Sequence, residues 1–539
     1  MKLRPSLDGE RFDVLVIGGG INGVAIAREC VRAGRRTLLV EQLDFAAGTT
    51  SRSTRIIHGG LRYLEQGDIA QVRESLRERG RLLRERPHLV RPLEFLLALD
   101  GESRRSALAV RAGLWLYRRM GGAVRGASAP SEQATLERWL DAGRRFSVFS
   151  FEDAQCEFPE RLVAEWLTEM LAAGGTARNH TQVLAVEMCQ GRATAARLRD
   201  CLSGKEERVE ATWTINATGP WADQICQGSG MSTRHQMVGG VRGAHIVLPK
   251  FAGAPQAAVY TEAVDGRPIF VIPWNDQILV GTTEVADESD PARVRPSNDE
   301  MDYLWRSFRH LFPAAPIAEN DMHYAFAGVR PLPYSAKAQP LAISRRHYFH
   351  DHAEDGAQGM ISVIGGKLTT AASLGRECAW KIGVSLPEPA AVTMIAASDL
   401  DAVRGRAITE VAERGGISRG SAQAIVEWHG RTAPAIAEMA RGRVELQAPL
   451  CPHTNHVVAE AAHALERECA VTLGDVLLRR VPVALGPCWS QECSGEAARR
   501  IAAVAGWGKN RAAEELEGFE LECQTFLQKR SPRNSAASG

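Results

Sequence analysis

No run of about 18 or more uncharged apolar residues occurs in the chain, so a membrane-spanning helix is not expected. The first residues, MKLRPSLDGERFDVLV, lack the apolar stretch of a signal peptide, so a cytoplasmic location is expected. Charge of one sign is also missing. The formal net charge is +1, which removes any global pull toward nucleic acid, and no nucleic-acid partner is expected. The 11 cysteines form no C-x-x-C pair, so neither a disulfide framework nor a zinc centre is indicated, and no metal is expected. The nearest approach to a ligand cluster, Cys451-Pro-His453-Thr-Asn-His456, reads as a loop running into a helix start. No long-period repeat is present. What remains is an ordinary globular balance, 45% apolar and 24% charged, over 539 residues. A chain of that length divides into about two to four domains.

The most informative stretch is Phe12 to Glu41, FDVLVIGGGINGVAIARECVRAGRRTLLVE. Phe12–Ile17 is a short apolar run suited to a buried parallel strand. Gly18, Gly20 and Gly23 follow at G-x-G-x-x-G spacing. Gly18 allows the tight turn, Gly20 lets backbone approach a pyrophosphate, and Gly23 lets the helix pack close to the strand. The helix N-terminus offers N–H groups and a positive dipole end to that pyrophosphate. Thr37–Val40 is a second strand, and Glu41 at its end can take ribose hydroxyls. The unit predicts dinucleotide binding.

Three later features favour FAD over a nicotinamide cofactor. Residues 42–64 are rich in Gly, Ser and Thr, Thr50 and Ser51 among them, and suit a donor-rich loop around a cofactor. A strand over Arg208–Ala217 runs into Ala217-Thr218-Gly219, where small residues leave room for a second close approach. Strand Ile361–Ile364 meets Gly365-Gly366-Lys367, then Leu368 and Thr369 at a helix start. The cofactor segments are thus spread along the chain, whereas a nicotinamide domain is usually one contiguous block. Between them, residues 232–286 have a β-like pattern that reads as an antiparallel sheet of a second domain. Residues 400–525 are helical in pattern and carry no chemical motif, and 529–539 read as a disordered tail. Residues 71–125 hold thirteen Arg against six Asp or Glu and no Lys. Within them, SALAVRAGLWLYRRM (106–120) reads either as a basic amphipathic helix on an anionic membrane surface or as a helix packed on its own domain.

The ordered series VIGGGINGVAIA, IIHGGLRYLE, NATGPWAD, GAHIVLP, FVIPW, GTTE, GVRPL and GGKLTT resembles the FAD-dependent glycerol-3-phosphate dehydrogenase/oxidase family, aerobic and quinone-linked. The resemblance covers about residues 10–380 and continues more weakly through the C-terminal helices. It implies oxidation of sn-glycerol 3-phosphate to dihydroxyacetone phosphate, with electrons passed through FAD to membrane quinone, or to oxygen in the oxidase branch. It also implies peripheral attachment to the inner face of the cell membrane, and it shifts the basic stretch toward the membrane reading. The expected fold is α/β plus α+β. A discontinuous Rossmann-type FAD-binding domain (1–80, 150–230, 335–395) interleaves with an antiparallel-sheet substrate domain (81–149, 231–334). A helical C-terminal domain (396–528) follows. A homodimer is left open.

Oxidising a secondary alcohol at a flavin requires a positioned C–H, a proton acceptor for the hydroxyl, and cations for a phosphate. By the resemblance, the segment holding Arg62 and Tyr63 reaches the active site, Arg62 as a phosphate ligand. Arg330 resembles the family's active-site arginine, and Lys367 can face both flavin and substrate. His245 is the first choice of base and His58 the second. Thr369 and Thr370 serve the cofactor or cap a helix. Two departures from the family pattern stand out. Phe158-Pro159-Glu160-Arg161 replaces an Asp-Ala-Arg segment, and Arg242 stands where lysine is common; both are expected to alter the pocket entrance or the substrate. No calcium-binding loop of the kind seen in some mitochondrial relatives is present. Two alternatives remain: a related dehydrogenase or oxidase acting on another phosphorylated polyol or hydroxy acid, and a flavin-binding membrane protein without turnover.

Overall fold

The computed structural model describes residues 4–65, 67–121, 130–335, 343, 345–386 and 399–529, without the side chains of Arg62, Glu65, Pro130 and Ser131. The expected tail beyond Lys529 lies outside the described residues.

Strand Arg11–Ile17 lies at the centre of the first sheet because its residues from Val14 to Ile17 are all buried, as a parallel strand covered on both faces must be. It pairs in parallel with Thr37–Val40 on one side and Glu206–Asn216 on the other. Thr176–Arg178 extends the sheet beyond the first neighbour and Met360–Ile364 beyond the second. Tyr348–Asp351 closes that edge antiparallel, and the hairpin Thr181–Cys189/Arg192–Asp200 joins Glu206–Asn216. The sheet therefore draws on three distant parts of the chain. Helices Ile21–Arg32, Pro159–Ala172 and Ala371–Lys381 bury their apolar faces, including Val24, Trp166 and Leu374, against it.

The second sheet runs, in order, Val285–Ala286, Val238–Pro249, Gln277–Gly281, Pro268–Trp274, Ala258–Glu262, Val90–Leu99, Ser147–Cys156 and Ile56–Ile57. Strand Tyr324–Pro333 pairs with Val238–Pro249 along its length. One pair, Ala258–Glu262 with Val90–Leu99, is parallel, because a long crossover rather than a hairpin connects them. Two expected boundaries move. Ser147–Cys156 pairs without a break with Val90–Leu99, so the border placed at residue 150 falls inside a strand of the second sheet. Ile56–Ile57, placed in the first domain, pairs with Gln155 and Ala154 of that same strand.

The C-terminal helices, from Leu400–Gly415 to Lys509–Phe526, do not form a separate core. Ile425, Ile436 and Leu477 share one apolar cluster with Phe95, Trp274 and Phe326 of the second sheet. Polar contacts also bind them to the first domain. The Arg479 and Arg480 guanidinium groups donate to the Asp44 carboxylate at 2.6–2.8 Å, in the loop just after Glu41. Among the described residues no helix is long and apolar enough to cross a membrane.

Candidate active site: a cofactor channel opening onto a cationic chamber

Gly18 leaves its strand with φ +106°, and a Cβ there would overlap the Ala217 carbonyl. A Cβ on Gly23 would overlap the Gly18 carbonyl oxygen, so this glycine allows the close approach of helix to turn. Gly20 differs: the only atom near a Cβ would be Thr50 Oγ1 at 3.4 Å. The free space there belongs to a cavity of about 410 Å³ lined by Gly18, Gly20, Glu41, Ala217, Thr218 and Gly219, among others. Helix Ile21–Arg32 starts at Gly20 with no side-chain cap on its Ncap residue, and its first N–H donates to Thr50 Oγ1 at 3.1 Å. Glu41 Oε2 accepts from Gly19 N–H at 2.7 Å and Oε1 from Leu43 N–H at 2.9 Å. Burial raises the Glu41 pKa, and those two backbone donors oppose the rise. Asn22 Nδ2 donates to the Gly365 carbonyl at 3.1 Å, while its buried Oδ1 has no protein partner. A glycine cradle, an open helix start, a carboxylate at the second strand and an orphaned amide oxygen fit a dinucleotide.

Ser51 is a correction. It does not line the channel; its hydroxyl turns back to the Gly48 and Ala47 carbonyls at 3.1 and 3.4 Å, which tightens its own loop. Thr218 stays on the wall, its hydroxyl donating to Asn216 Oδ1 at 2.7 Å.

Thr49, Ser53, Pro331, Gly366, Lys367 and Leu368 line both this channel and a second cavity of about 280 Å³ that reaches the second sheet. The second cavity gathers His58, Tyr63, His245, Arg330, Lys367 and Thr369, drawn from both sheets. His245 is buried on strand Val238–Pro249, its ring stacked on Phe326 with centroids 5.0 Å apart. Its Nε2 lies 2.9 Å from Thr54 Oγ1, and its Nδ1 has no partner. Burial, reinforced by Arg330 and Arg55, lowers its pKa to about 3, so the imidazole is neutral at physiological pH. His58 is held near 3 in the same way, by burial and then by Lys367, Arg345 and Arg79.

Arg330 Nη2 donates to Thr282 Oγ1 at 3.0 Å, and Nη1 lies 3.8 Å from Glu284 Oε1. Lys367 Nζ donates to Gln71 Oε1 and sits 4.1 Å above the Tyr63 ring centroid. Burial, with Arg345 adding to it and Glu74 opposing, lowers the Lys367 pKa to about 7. Thr369 Oγ1 accepts the His58 backbone N–H at 3.2 Å, and Thr370 makes no side-chain cap bond. The backbone of Arg62 lies in the short helix Leu61–Glu65, but its side chain is outside the described residues.

Three contributors carry no motif in the sequence. Arg345 lines the chamber and pairs with Glu284. Thr54 contacts the proposed base. Asp153 accepts from Gly59 N–H at 3.0 Å and Tyr117 O–H at 2.7 Å and pairs with Arg79, fixing the loop that carries His58. Of the three, only Thr54 has a visible signal, its place in the donor-rich loop.

Residues 158–161 are a second correction. They line neither cavity. Arg161 is fully buried and bidentate to Glu468 at 2.8 and 3.0 Å, and it also donates to the Trp428 and Arg480 carbonyls. Glu160 is bidentate to buried Arg55 at 3.0 Å. Arg161 joins the first domain to the C-terminal helices, and Glu160 reaches the chamber only through Arg55, which lines it. Arg242 likewise points to Asp287 and Glu300, away from a ligand role.

A dinucleotide channel ending in a cationic chamber with a buried neutral histidine defines a flavin-dependent oxidoreductase. Residues 13–372 match the family described as FAD dependent oxidoreductase, and residues 397–512 that described as the C-terminal domain of alpha-glycerophosphate oxidase. The glycerol-3-phosphate dehydrogenase of Synechocystis sp. is 36% identical over 506 residues, covering 90% of this chain and 91% of that protein. The D-erythritol 1-phosphate dehydrogenase of Brucella abortus is 34% identical over 365 residues, covering 67% and 71%. The structure of the glycerol-3-phosphate dehydrogenase from Bacillus halodurans, complexed with FAD, superposes with a TM-score of 0.77 over 96% of each chain at 23% identity. The chain belongs to the FAD-dependent glycerol-3-phosphate dehydrogenase family, and FAD is its cofactor.

Proposed function

We propose that the protein oxidises sn-glycerol 3-phosphate to dihydroxyacetone phosphate at the inner face of the cell membrane and delivers the electrons to membrane quinone. The observation that carries this reading is the grouping of Lys367, Arg330 and Arg345 around a neutral, buried His245 at the inner end of the cofactor channel. Bound FAD supplies the hydride acceptor. Lys367 and the two arginines hold the phosphate, and the Arg330 fork is oriented by Thr282. His245 accepts the hydroxyl proton at Nε2, the ring nitrogen that lies 2.9 Å from Thr54 Oγ1. A proton taken there is disfavoured by burial and by Arg330, so the imidazole must pass it on to solvent before the next turnover.

Helix Ala107–Gly121 supports peripheral docking on anionic lipid. It buries Leu114 and Tyr117 and leaves Leu108 and Trp115, seven residues apart on one face, 78% and 66% exposed. Arg111, Arg118 and Arg119 are exposed beside them. Amphipathic helices of this composition lie in the headgroup region. A second substrate, a longer phosphorylated polyol, is favoured by the similarity to the D-erythritol 1-phosphate dehydrogenase. Turnover of glycerol 3-phosphate, erythritol 1-phosphate and glycerol, with a quinone analogue or oxygen as acceptor, separates the readings. The first requires the highest kcat/KM with glycerol 3-phosphate and quinone. A clear preference for erythritol 1-phosphate selects the second.

A further inference from the structure

The loop Cys451–His456 and the segment Cys488–Cys493 are separated by more than 30 residues, and the fold of the C-terminal helices brings them together. The loop is closed at its neck by the Pro449–Val457 bridge and by Leu450 N–H donating to the His456 carbonyl at 2.8 Å. Its two histidines then diverge. His456 turns inward, donating or accepting at Glu460 Oε1 (2.8 Å) and stacking on Trp428 with centroids 3.6 Å apart. His453 turns outward, toward the first turn of helix Gln491–Ala505, which carries Cys493. Cys451 and Cys493 are both fully buried, whereas His453 is exposed.

Cys451 Sγ, Cys493 Sγ and a His453 ring nitrogen all lie within 4.8 Å of one another, and His453 Nδ1 is 3.5 Å from Cys493 Sγ. A tetrahedral zinc ion with Zn–S of about 2.3 Å and Zn–N of about 2.0–2.1 Å has an S···N edge of roughly 3.5 Å. The His453 Nδ1···Cys493 Sγ hydrogen bond, at 3.5 Å, already has the length of that edge. Cys488 borders the group: its carbonyl is 3.5 Å from Cys493 Sγ, and its own sulfur is 4.0 Å from the His453 carbonyl. Its side chain is exposed. The Cys493 backbone N–H donates to Ser490 Oγ at 3.3 Å in the helix cap, so this sulfur sits at a helix N-terminus, which favours a thiolate. The other grouping of ligand types, His350, His352 and Asp355, differs: its atoms are spent on one another and on Ser362 at 2.7–2.9 Å.

We propose that Cys451, His453 and Cys493, completed by Cys488, form a structural Zn²⁺ site that staples the Cys451–His456 loop to helix Gln491–Ala505. Each thiol loses a proton to solvent as the metal binds, with no redox change. The site lies just past Leu485, whose carbonyl accepts from Tyr324 O–H at 2.9 Å and Gln277 Nε2 at 2.8 Å on the second sheet. The staple therefore fixes the segment through which the C-terminal helices grip the substrate domain.

The test uses the full-length, FAD-loaded protein purified under reducing conditions. Elemental analysis is expected to find about one zinc per chain. Replacement by Co²⁺ is expected to give the intense sulfur-to-cobalt absorption and the visible bands of a tetrahedral thiolate site. Cys493→Ser and His453→Asn, at an exposed position, should each abolish that spectrum, Cys488→Ser should weaken binding at least about tenfold, and Cys189→Ser, on strand Thr181–Cys189 of the first sheet, should change nothing. Chelation should lower Tm in the parent protein but not in His453→Asn, with the flavin spectrum unchanged. Three results would overturn the site: no binding of added Zn²⁺, a Co²⁺ spectrum that survives His453→Asn, or a Cys451–Cys493 disulfide in protein purified in parallel without reductant.

Discussion

Lys367 offers the sharpest way to perturb the chamber without touching the glycine cradle. Its ammonium is fixed by Gln71 and by the Tyr63 ring face, and burial, with Arg345, brings its pKa down to about 7. A charge-assisted hydrogen bond to a phosphate is worth about 1.5–3 kcal/mol. Lys367→Ala should therefore lower kcat/KM by roughly ten- to 150-fold while leaving FAD loading intact. The pH dependence gives a second check. A lysine binds the phosphate only when protonated, so kcat/KM should fall as pH rises through about 7 in the free enzyme. The bound phosphate stabilises the ammonium, so the corresponding fall in kcat should lie at higher pH. An acid limb near pH 6 belongs to the substrate's own second ionisation. His245, neutral down to about pH 3, adds none. Lys367→Arg should restore much of the rate and remove the alkaline limb, because a guanidinium stays charged. A Lys367→Ala enzyme with unchanged kcat/KM, or an alkaline limb that survives Lys367→Arg, would refute the assignment.

Gly20→Val should yield colourless protein, since its side chain would fill the space above Thr50 where the pyrophosphate belongs; yellow, fully loaded protein would contradict the cradle. Arg161→Ala strands the buried Glu468 carboxylate and should cost about 3–5 kcal/mol, read as a lower urea midpoint. Burial alone would raise the Glu468 pKa, but Arg161 outweighs it and holds the carboxyl at about 2. Its contribution is therefore present above about pH 4.5 and is lost as pH falls toward 2, and a pH titration of Tm should show that loss in the parent but not in Arg161→Ala. Trp115→Ser should weaken sedimentation with anionic vesicles and leave turnover with a soluble acceptor unchanged; equal sedimentation would remove this helix as the docking element.

The strand–turn–helix–strand unit was legible because its signals are local: an apolar run, three glycines at fixed spacing and a terminal acid. The chamber was half legible. His245, Arg330 and Lys367 lie in short motifs, and the fold brings them to one cavity. Arg345 and Asp153 carry no local pattern, since their place depends on how two sheets and helix Ile69–Glu85 meet. Residues 158–161 were misread because their meaning lies far away: Arg161 finds Glu468 307 residues along the chain, a distance at which no periodicity informs. Ser51 was misread because a hydroxyl in a donor-rich loop bonds its own backbone as readily as a ligand. The Cys451–His456 stretch read as a loop from its own residues, because Cys493, which the fold brings to Cys451 and His453, lies 40 residues beyond His453 and outside the spacing of any short motif.

The central claim, a flavin channel feeding a phosphopolyol chamber, is tested most directly by one spectrum. The purified protein should show oxidised flavin bands that bleach on anaerobic addition of sn-glycerol 3-phosphate and return when a quinone analogue is added. Flavin bands that persist with sn-glycerol 3-phosphate and with every other phosphorylated polyol would contradict the account.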